Sequence, residues 1–338
     1  MLIIFFFSQT KDINMLIDAY LERNEAHRTM NSPEECLDLL RAFAGLEEQE
    51  KYHAGATGRG IAHLFRGHED ASYPLQTTLD RKGGRNKRQA EDYLLRGFRR
   101  RMHHYLSSES LPGSDLTTLA LMQHYGVPTR LLDVTRSPYV ALYFAVRDAL
   151  KDADAAVWVF NTMNIHHTSL QRTFSKEPKL AKEIGNYYDP HSAFTRQELF
   201  KKWFMPDVTW GDLQNPELLR HHEIIFELDP FTMNPRLSGQ QGLFLVSGSP
   251  CKTFEETLID LLQEIESKIG ESGGREPSVF KIVIPKGLRI PLMRHLEKMN
   301  ITAASLFEGL GGFADSLREK LSIMDEQDFL GYMMGLPI

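Results

Sequence analysis

The chain has 338 residues, 42% of them hydrophobic, which is enough for one large domain or two modest ones and excludes a disordered protein. Its net charge of −6 excludes bulk basicity as a route to nucleic acid, so only local basic patches could serve that purpose. Two cysteines, Cys36 and Cys251, form no CxxC pair and are too few for a four-thiolate zinc site, and they read as reduced thiols of a cytoplasmic protein.

The opening run Met1 to Phe7 is apolar but too short to span a bilayer, and it lacks the basic start of a signal peptide, so no membrane association is expected. It reads as an edge strand, or as sequence upstream of a true start at Met15. Apolar residues then recur at helical spacing over 13–23 and 32–50, where Ser32 and Pro33 suit a helix cap and first turn. A glycine-bearing loop over 55–60 precedes a short buried strand, 61–65, that ends at Arg66-Gly67. Basic and neutral helices are expected at 89–106 and 115–124. A strand follows over 131–135, and a Ser137-capped apolar helix runs from Pro138 to Leu150. Another buried strand covers 155–160. The region 165–222, rich in His, Lys and aromatics, reads as helices with a long connection. Strands return at 223–228, 243–246 and 280–284, with a helix at 253–268, a flexible loop at 270–277 and a last helix at 311–321. Helices alternating irregularly with short strands predict an α+β architecture. No strong linker divides the chain. The expected organisation is a helical N-terminal extension over 1–55, one domain over 56–322 and a tail over 323–338.

Common catalytic signatures are missing from the sequence. There is no GxxxxGK[ST] loop, no GxGxxG after a strand and no GxSxG elbow. Adjacent histidines occur in three places, but neighbouring side chains diverge, so no metal site is expected. Three other features carry chemistry. Arg66, between a buried strand and a glycine, could give two parallel hydrogen bonds to a diphosphate or carboxylate, with Gly67 letting backbone approach a ligand. The alternative is an arginine paired with a buried acid such as Asp133. Second, His124, Tyr125, Thr129, Arg130, Asp133 and Thr135 crowd around a turn shaped by Gly126 and Pro128. They form either a ligand-binding loop or a hydrogen-bonded structural turn with an Arg130–Asp133 ion pair. Third, a basic stretch begins at Arg81 and includes Arg85, Arg88, Arg96, Arg99, Arg100 and Arg101. It suits a phosphate backbone, or equally a solvated helix face or an acidic protein partner.

Four segments in order resemble FRG-domain proteins: Leu64-Phe65-Arg66-Gly67-His68; Leu119 to Thr135 with Ser137 to Ala145; Asn234 to Phe244; and Ser305 to Gly312. That layout is in turn similar to ADP-ribosyltransferases of the Arg-Ser-Glu type. The likeness implies a split mixed sheet with flanking helices, NAD as co-substrate and no metal. It further implies that Arg66 anchors the NAD diphosphate and that Tyr125 and Thr135 line the nicotinamide ribose site. Gly67, His124, Thr129, Arg130, Asp133, Arg236 and Gln240 would complete the binding site. The family's catalytic glutamate should fall near Arg236–Gln241, where this chain has Gln240 and Gln241. Gln241 or Glu308 would then support the cationic transition state, with Glu69 a weaker substitute.

The resulting expectation is an ADP-ribosyltransferase acting on a nucleic acid or protein acceptor guided by Arg85, Arg88, Arg96, Arg99 and Arg100. It would suit a toxin or phage-defence effector held by an inhibitory antitoxin partner. One alternative is a non-catalytic nucleotide- or nucleic-acid-binding module. Another is a hydrolase or nuclease using His124 and Asp133 as acid and base. If the first expectation holds, Arg66, Asp133, Thr135 and Gln241 face one cleft.

Overall fold

A computed structural model describes residues 15–53, 63–84, 86–106, 111–112, 115–176, 223–228, 235–248, 252–269 and 277–325. The apolar run at 1–7, the loop at 55–60, the connection beyond 176 and Cys251 lie outside the described residues. The architecture is α+β: one seven-stranded mixed sheet with helices on both faces. Among the described residues no helix is long and apolar enough to cross a membrane.

The strands are β1 (His27–Thr29), β2 (His63–His68), β3 (Leu131–Thr135), β4 (Ala155–Asn161), β5 (Ile225–Leu228), β6 (Gly242–Ser247) and β7 (Val279–Ile284). They lie side by side in the order β1-β7-β4-β2-β3-β6-β5. Only β1 and β7 run parallel; the other neighbours are antiparallel. The centre is apolar throughout: every residue of β4 is buried, which is what a strand covered on both faces requires. The segment expected to be a purely helical extension therefore also supplies an edge strand. β1 carries three polar, exposed residues, so no apolar alternation announces it.

The helices are α1 (15–23), α2 (Pro33–His53), α3 (Thr78–Lys82), α4 (Lys87–Met102), α5 (Asp115–His124), α6 (Pro138–Val146), α7 (Thr162–Lys176), α8 (Pro235–Gly239), α9 (Phe254–Ile269), α10 (Arg289–Lys298), α11 (Ala303–Leu306) and α12 (Gly309–Ile323). On one sheet face, α2, α6, α10 and α12 cover β2, β4 and β7. On the same face a separate apolar cluster joins α4 and α5 to β3, β5 and β6. The opposite face is covered by α1 and α9, with Leu75 and Ile165 filling in. Two independent clusters on one face leave a seam between α5 and α6, and that seam becomes the cleft described below.

Three local details depart from expectation. β2 continues through Arg66 and Gly67, which pair with Trp158 and Val157 of β4, so the strand does not end there. α6 stops at Val146, short of Leu150. The fully buried Arg289 lies at this end and donates to the carbonyls of Ala145 (3.1 Å), Asp148 (3.0 Å) and Ala153 (3.0 Å), so a side chain satisfies one terminal acceptor of the helix and two carbonyls just beyond it. Finally, Gly67 faces protein. A Cβ there would lie 2.0 Å from the Ala141 carbonyl and 2.6 Å from the Ala145 nitrogen, so the glycine lets α6 lie directly on β2. The glycine thus accommodates the close approach of a helix, and it also lines the cleft described below.

Candidate active site

β2 and β3 are joined at a single paired position, Phe65 with Thr135, while β2 and β4 pair along their whole length. Past that position the two strands part, and a cleft of about 660 Å³ opens between them. Side chains alternate along a strand, so Phe65, Asp133 and Thr135 face the seam between α5 and α6, while Arg66 and His68 start from the other face. α5 contributes Gln123 and His124, α6 contributes Phe144, α8 brings Arg236, and the segment after β2 brings Glu69 and Arg81.

Arg66 spans the parting strands. Its Nη1 donates to the Asp133 carbonyl at 2.6 Å, and its Nε donates to His68 Nε2 at 2.9 Å. Burial, and after it the Arg66 charge, pushes the His68 pKa down to about 3. The ring is therefore neutral, with a lone pair available to Arg66. Burial also pulls the Arg66 pKa down while the nearby Asp133 carboxylate opposes this, and a guanidinium keeps its charge at neutral pH regardless. The remaining N–H groups of the fork make no hydrogen bond with a described residue and line the cleft. The expected alternative, an ion pair to Asp133, is replaced by a bond to that residue's backbone. The exposed Asp133 carboxylate instead accepts from Gln123 Nε2 at 2.8 Å.

Gln123 went unnoticed in the sequence although it lies inside the quoted Leu119–Thr135 segment. It is a hub of hydrogen bonds. Its Oε1 accepts from Thr129 Oγ1 at 2.5 Å, and its Nε2 also reaches the Leu131 carbonyl at 3.2 Å. Arg81 was counted with the basic stretch, yet it lines the cleft with its Nη1 held by the Gln76 carbonyl at 2.7 Å. Three arginines, Arg66, Arg81 and Arg236, thus share one cleft with two acids, Glu69 and Asp133. Of the acids, Glu69 has Lys151 Nζ at 3.6 Å.

The other candidates divide. Gly67, His124, Thr135, Arg236 and Gln240 line the cleft. His124 is half-buried; burial and then the charge of Arg236 lower its pKa, with Glu308 opposing, so it is unprotonated at neutral pH. Arg236 stacks over the Phe307 ring at 4.9 Å. Thr135 Oγ1 donates to the Gln240 carbonyl at 2.7 Å and accepts from the Ser137 N–H at 3.0 Å, so it latches β3 to the turn after α8. Thr129 and Arg130 are buried structural residues. Arg130 is paired with Glu91 of α4, not with Asp133 as the turn reading supposed. Tyr125 is 63% exposed and stands outside the cleft, edge-on to His124. Gln241 and Glu308 also lie outside the lining. Gln241 is an exposed turn residue at φ 47°, and Glu308 is the exposed residue preceding α12. Of the basic candidates, Arg85 lies outside the described residues. Arg88 is half-buried, and Arg96, Arg99 and Arg100 are exposed on α4. Among the described residues no group of three His, Cys, Asp or Glu side chains is placed to hold a metal.

On the α9 side of the sheet, the face from which Arg66 starts, a second polar group is buried. Glu255 of α9 faces Asp18, Asp80 and Lys281, and its Oε2 has no hydrogen-bond partner among the described residues. Burial raises its pKa to about 7. The folded chain thus holds this proton more tightly than the unfolded chain, where glutamate titrates near about 4.3. Its contribution to stability is fully present below the unfolded value and is lost as pH rises toward 7, at up to about 1.4 kcal/mol per pH unit. His68, with its pKa depressed, acts in the opposite sense: its contribution is present above about 6.5 and is lost as pH falls toward 3. Glu255→Gln should therefore stabilise the protein at pH 8 and leave it nearly unchanged at pH 4. Thermal melts at both pH values check this, and an equal shift at the two would contradict it.

Residues 62–154 match the family model of the FRG domain. Neither a search of curated proteins nor a search of solved structures found a match. The matched segment contains β2, β3 and α6 and stops just before β4, so it holds both strands whose parting opens the cleft. The first two of the four resembling segments fall inside the match and the last two fall beyond it. The chain therefore carries an FRG domain over residues 62–154.

Proposed function

We propose that the cleft binds NAD and that the chain transfers ADP-ribose from it to an acceptor. The observation that carries this reading is the convergence of Arg66, Arg81 and Arg236 with an exposed Asp133 carboxylate in one cleft of about 660 Å³. That volume falls within the range of small-molecule sites, and arginine forks match the paired oxygens of a diphosphate. When bound, NAD supplies a ribosyl carbon whose bond to nicotinamide breaks with its electron pair on nicotinamide, while a lone pair of the acceptor forms the new bond.

The side chains have corresponding tasks. Arg66 and Arg81 neutralise and orient the diphosphate. Asp133, held by Gln123, provides the negative charge that an oxocarbenium-like state requires, the role first assigned to Gln241 or Glu308. The unprotonated His124 takes the proton the acceptor releases. A sheet that parts between β2 and β3 supports likeness to the ADP-ribosyltransferase fold. The acceptor, a nucleic acid or a protein, and the setting as a toxin or phage-defence effector checked by an antitoxin in the cytoplasm belong to the same proposal.

The test is nicotinamide release from labelled NAD in the presence of RNA, DNA and lysate. Asp133→Asn is expected to slow release by about 100-fold or more, the usual effect of removing one transition-state electrostatic partner. Arg81→Gln should weaken NAD binding by about tenfold, the scale of one charge-assisted hydrogen bond. Failure of the wild-type protein to bind NAD in calorimetry would sink the reading. One observation favours a second one: Gln241 and Glu308 both stand outside the cleft. A non-catalytic nucleotide-binding module would bind NAD in an Arg66-dependent manner and release no nicotinamide.

A further inference from the structure

We propose that the outward face of α4 is a docking groove for single-stranded nucleic acid, in which a base stacks on Tyr93 over a notch at Gly97 while Arg96, Arg100 and Arg101 hold phosphates. This deepens the preceding reading by naming the class of acceptor, and it rests on that reading only for the acceptor's role.

Gln89, Tyr93, Arg96, Gly97, Arg100 and Arg101 follow one another at helical spacing, so they share one face of α4. They line a shallow groove of about 760 Å³. The opposite face is fixed inward by buried Glu91 and Leu95, while Leu94 and Phe98, which pack on the α5 cluster, and Asp92 also border the groove. The orientation of the basic face is therefore set by the core.

Two features of that face have no packing explanation. Tyr93 is 77% exposed, so its ring buries little against the protein. Gly97 sits inside a helix of 16 residues, where glycine is disfavoured relative to alanine, yet a Cβ added there would meet nothing within 4 Å. The glycine is thus not required by any neighbour. Lying four positions after Tyr93, it leaves a hollow beside an exposed aromatic ring, with three exposed guanidinium groups around it. A flat base with a phosphate on each side fits that combination: the ring and hollow accept the base, and the arginines accept the backbone. The arginines of the last turn also complement the helix dipole, but that accounts for neither Tyr93 nor Gly97. An acidic peptide would use the cations and gain nothing from the notch. The groove adjoins the cleft at Val127, which lines both, so a strand held on α4 lies beside the proposed transfer site.

The experiment measures binding of labelled oligouridylate and oligothymidylate to the full chain by fluorescence anisotropy, without NAD, across a salt series. Three arginine–phosphate contacts predict a log–log salt slope on the order of −2. Tyr93→Ala and Gly97→Leu should each weaken binding by about tenfold, the scale of one stacked base. Gly97→Leu should at the same time raise Tm, because leucine is the better helix former, so its loss of binding cannot come from unfolding. Absence of salt-dependent binding would overturn the proposal. So would unchanged binding by Gly97→Leu, or poly-glutamate binding as tightly as the oligonucleotides and equally in wild type and Gly97→Leu. Since NAD is absent, these outcomes are read independently of nicotinamide release.

Discussion

Glu91→Ala is expected to lower folding stability by about 3–5 kcal/mol, the cost of leaving one member of a buried ion pair alone. Glu91 is fully buried, and its carboxylate accepts the Arg130 Nε–H at 2.6 Å and the Arg130 backbone N–H at 3.2 Å. Those bonds tie α4 to the turn that enters β3, so α4 and α5 form one block against the sheet. Removing the carboxylate strands the buried guanidinium and frees that block. Urea unfolding should show a lower midpoint for Glu91→Ala. The double variant Glu91→Leu/Arg130→Met, which removes both charges, should recover most of the loss. A single-variant loss below about 1 kcal/mol, the level of exposed pairs, would mean that water reaches the pair.

Gly67→Ala is expected to cost about 3 kcal/mol or more, at or beyond the top of the range for overpacking. The added methyl would stand 2.0 Å from the Ala141 carbonyl and 2.6 Å from the Ala145 nitrogen, and both are backbone atoms of a buried helix that cannot rotate aside. α6 would have to lift from β2, and the cleft wall carried by Phe144 would lift with it. Gly97→Ala is the control: with open space around the site, the same chemical change should raise the melting temperature. If both substitutions shift Tm in the same direction, the packing argument for Gly67 fails.

Much of the frame was legible because the local signals were strong. The apolar runs at 131–135 and 155–160 are central strands, and Ser137-Pro138 caps α6, with Ser137 Oγ accepting from the Val140 N–H at 3.3 Å. Features that depend on distant neighbours were not legible. No local signal tells Arg130 that its partner is Glu91 and not Asp133, and none tells Gly67 that the body approaching it is α6. β1 was missed because polar residues on a short edge strand show no period. α10 was missed because its fully buried Arg289 and its Pro291 look like loop chemistry. At the site, the polar crowd around residues 124–135 does border the cleft through His124, Asp133 and Thr135. Of its other members, Thr129 and Arg130 turn inward and Tyr125 turns out to solvent, since composition carries no direction.

A sheet resists shear because many ladder bonds divide the load. Between β2 and β3 that ladder shrinks to one rung, and the Arg66 side chain, bonded to the Asp133 carbonyl, supplies the nearest extra stitch. A guest that took the Nη1 donor would therefore compete with the fabric of the sheet itself. Through that one bond, occupancy of the cleft would be coupled to the tension between the two halves of the sheet.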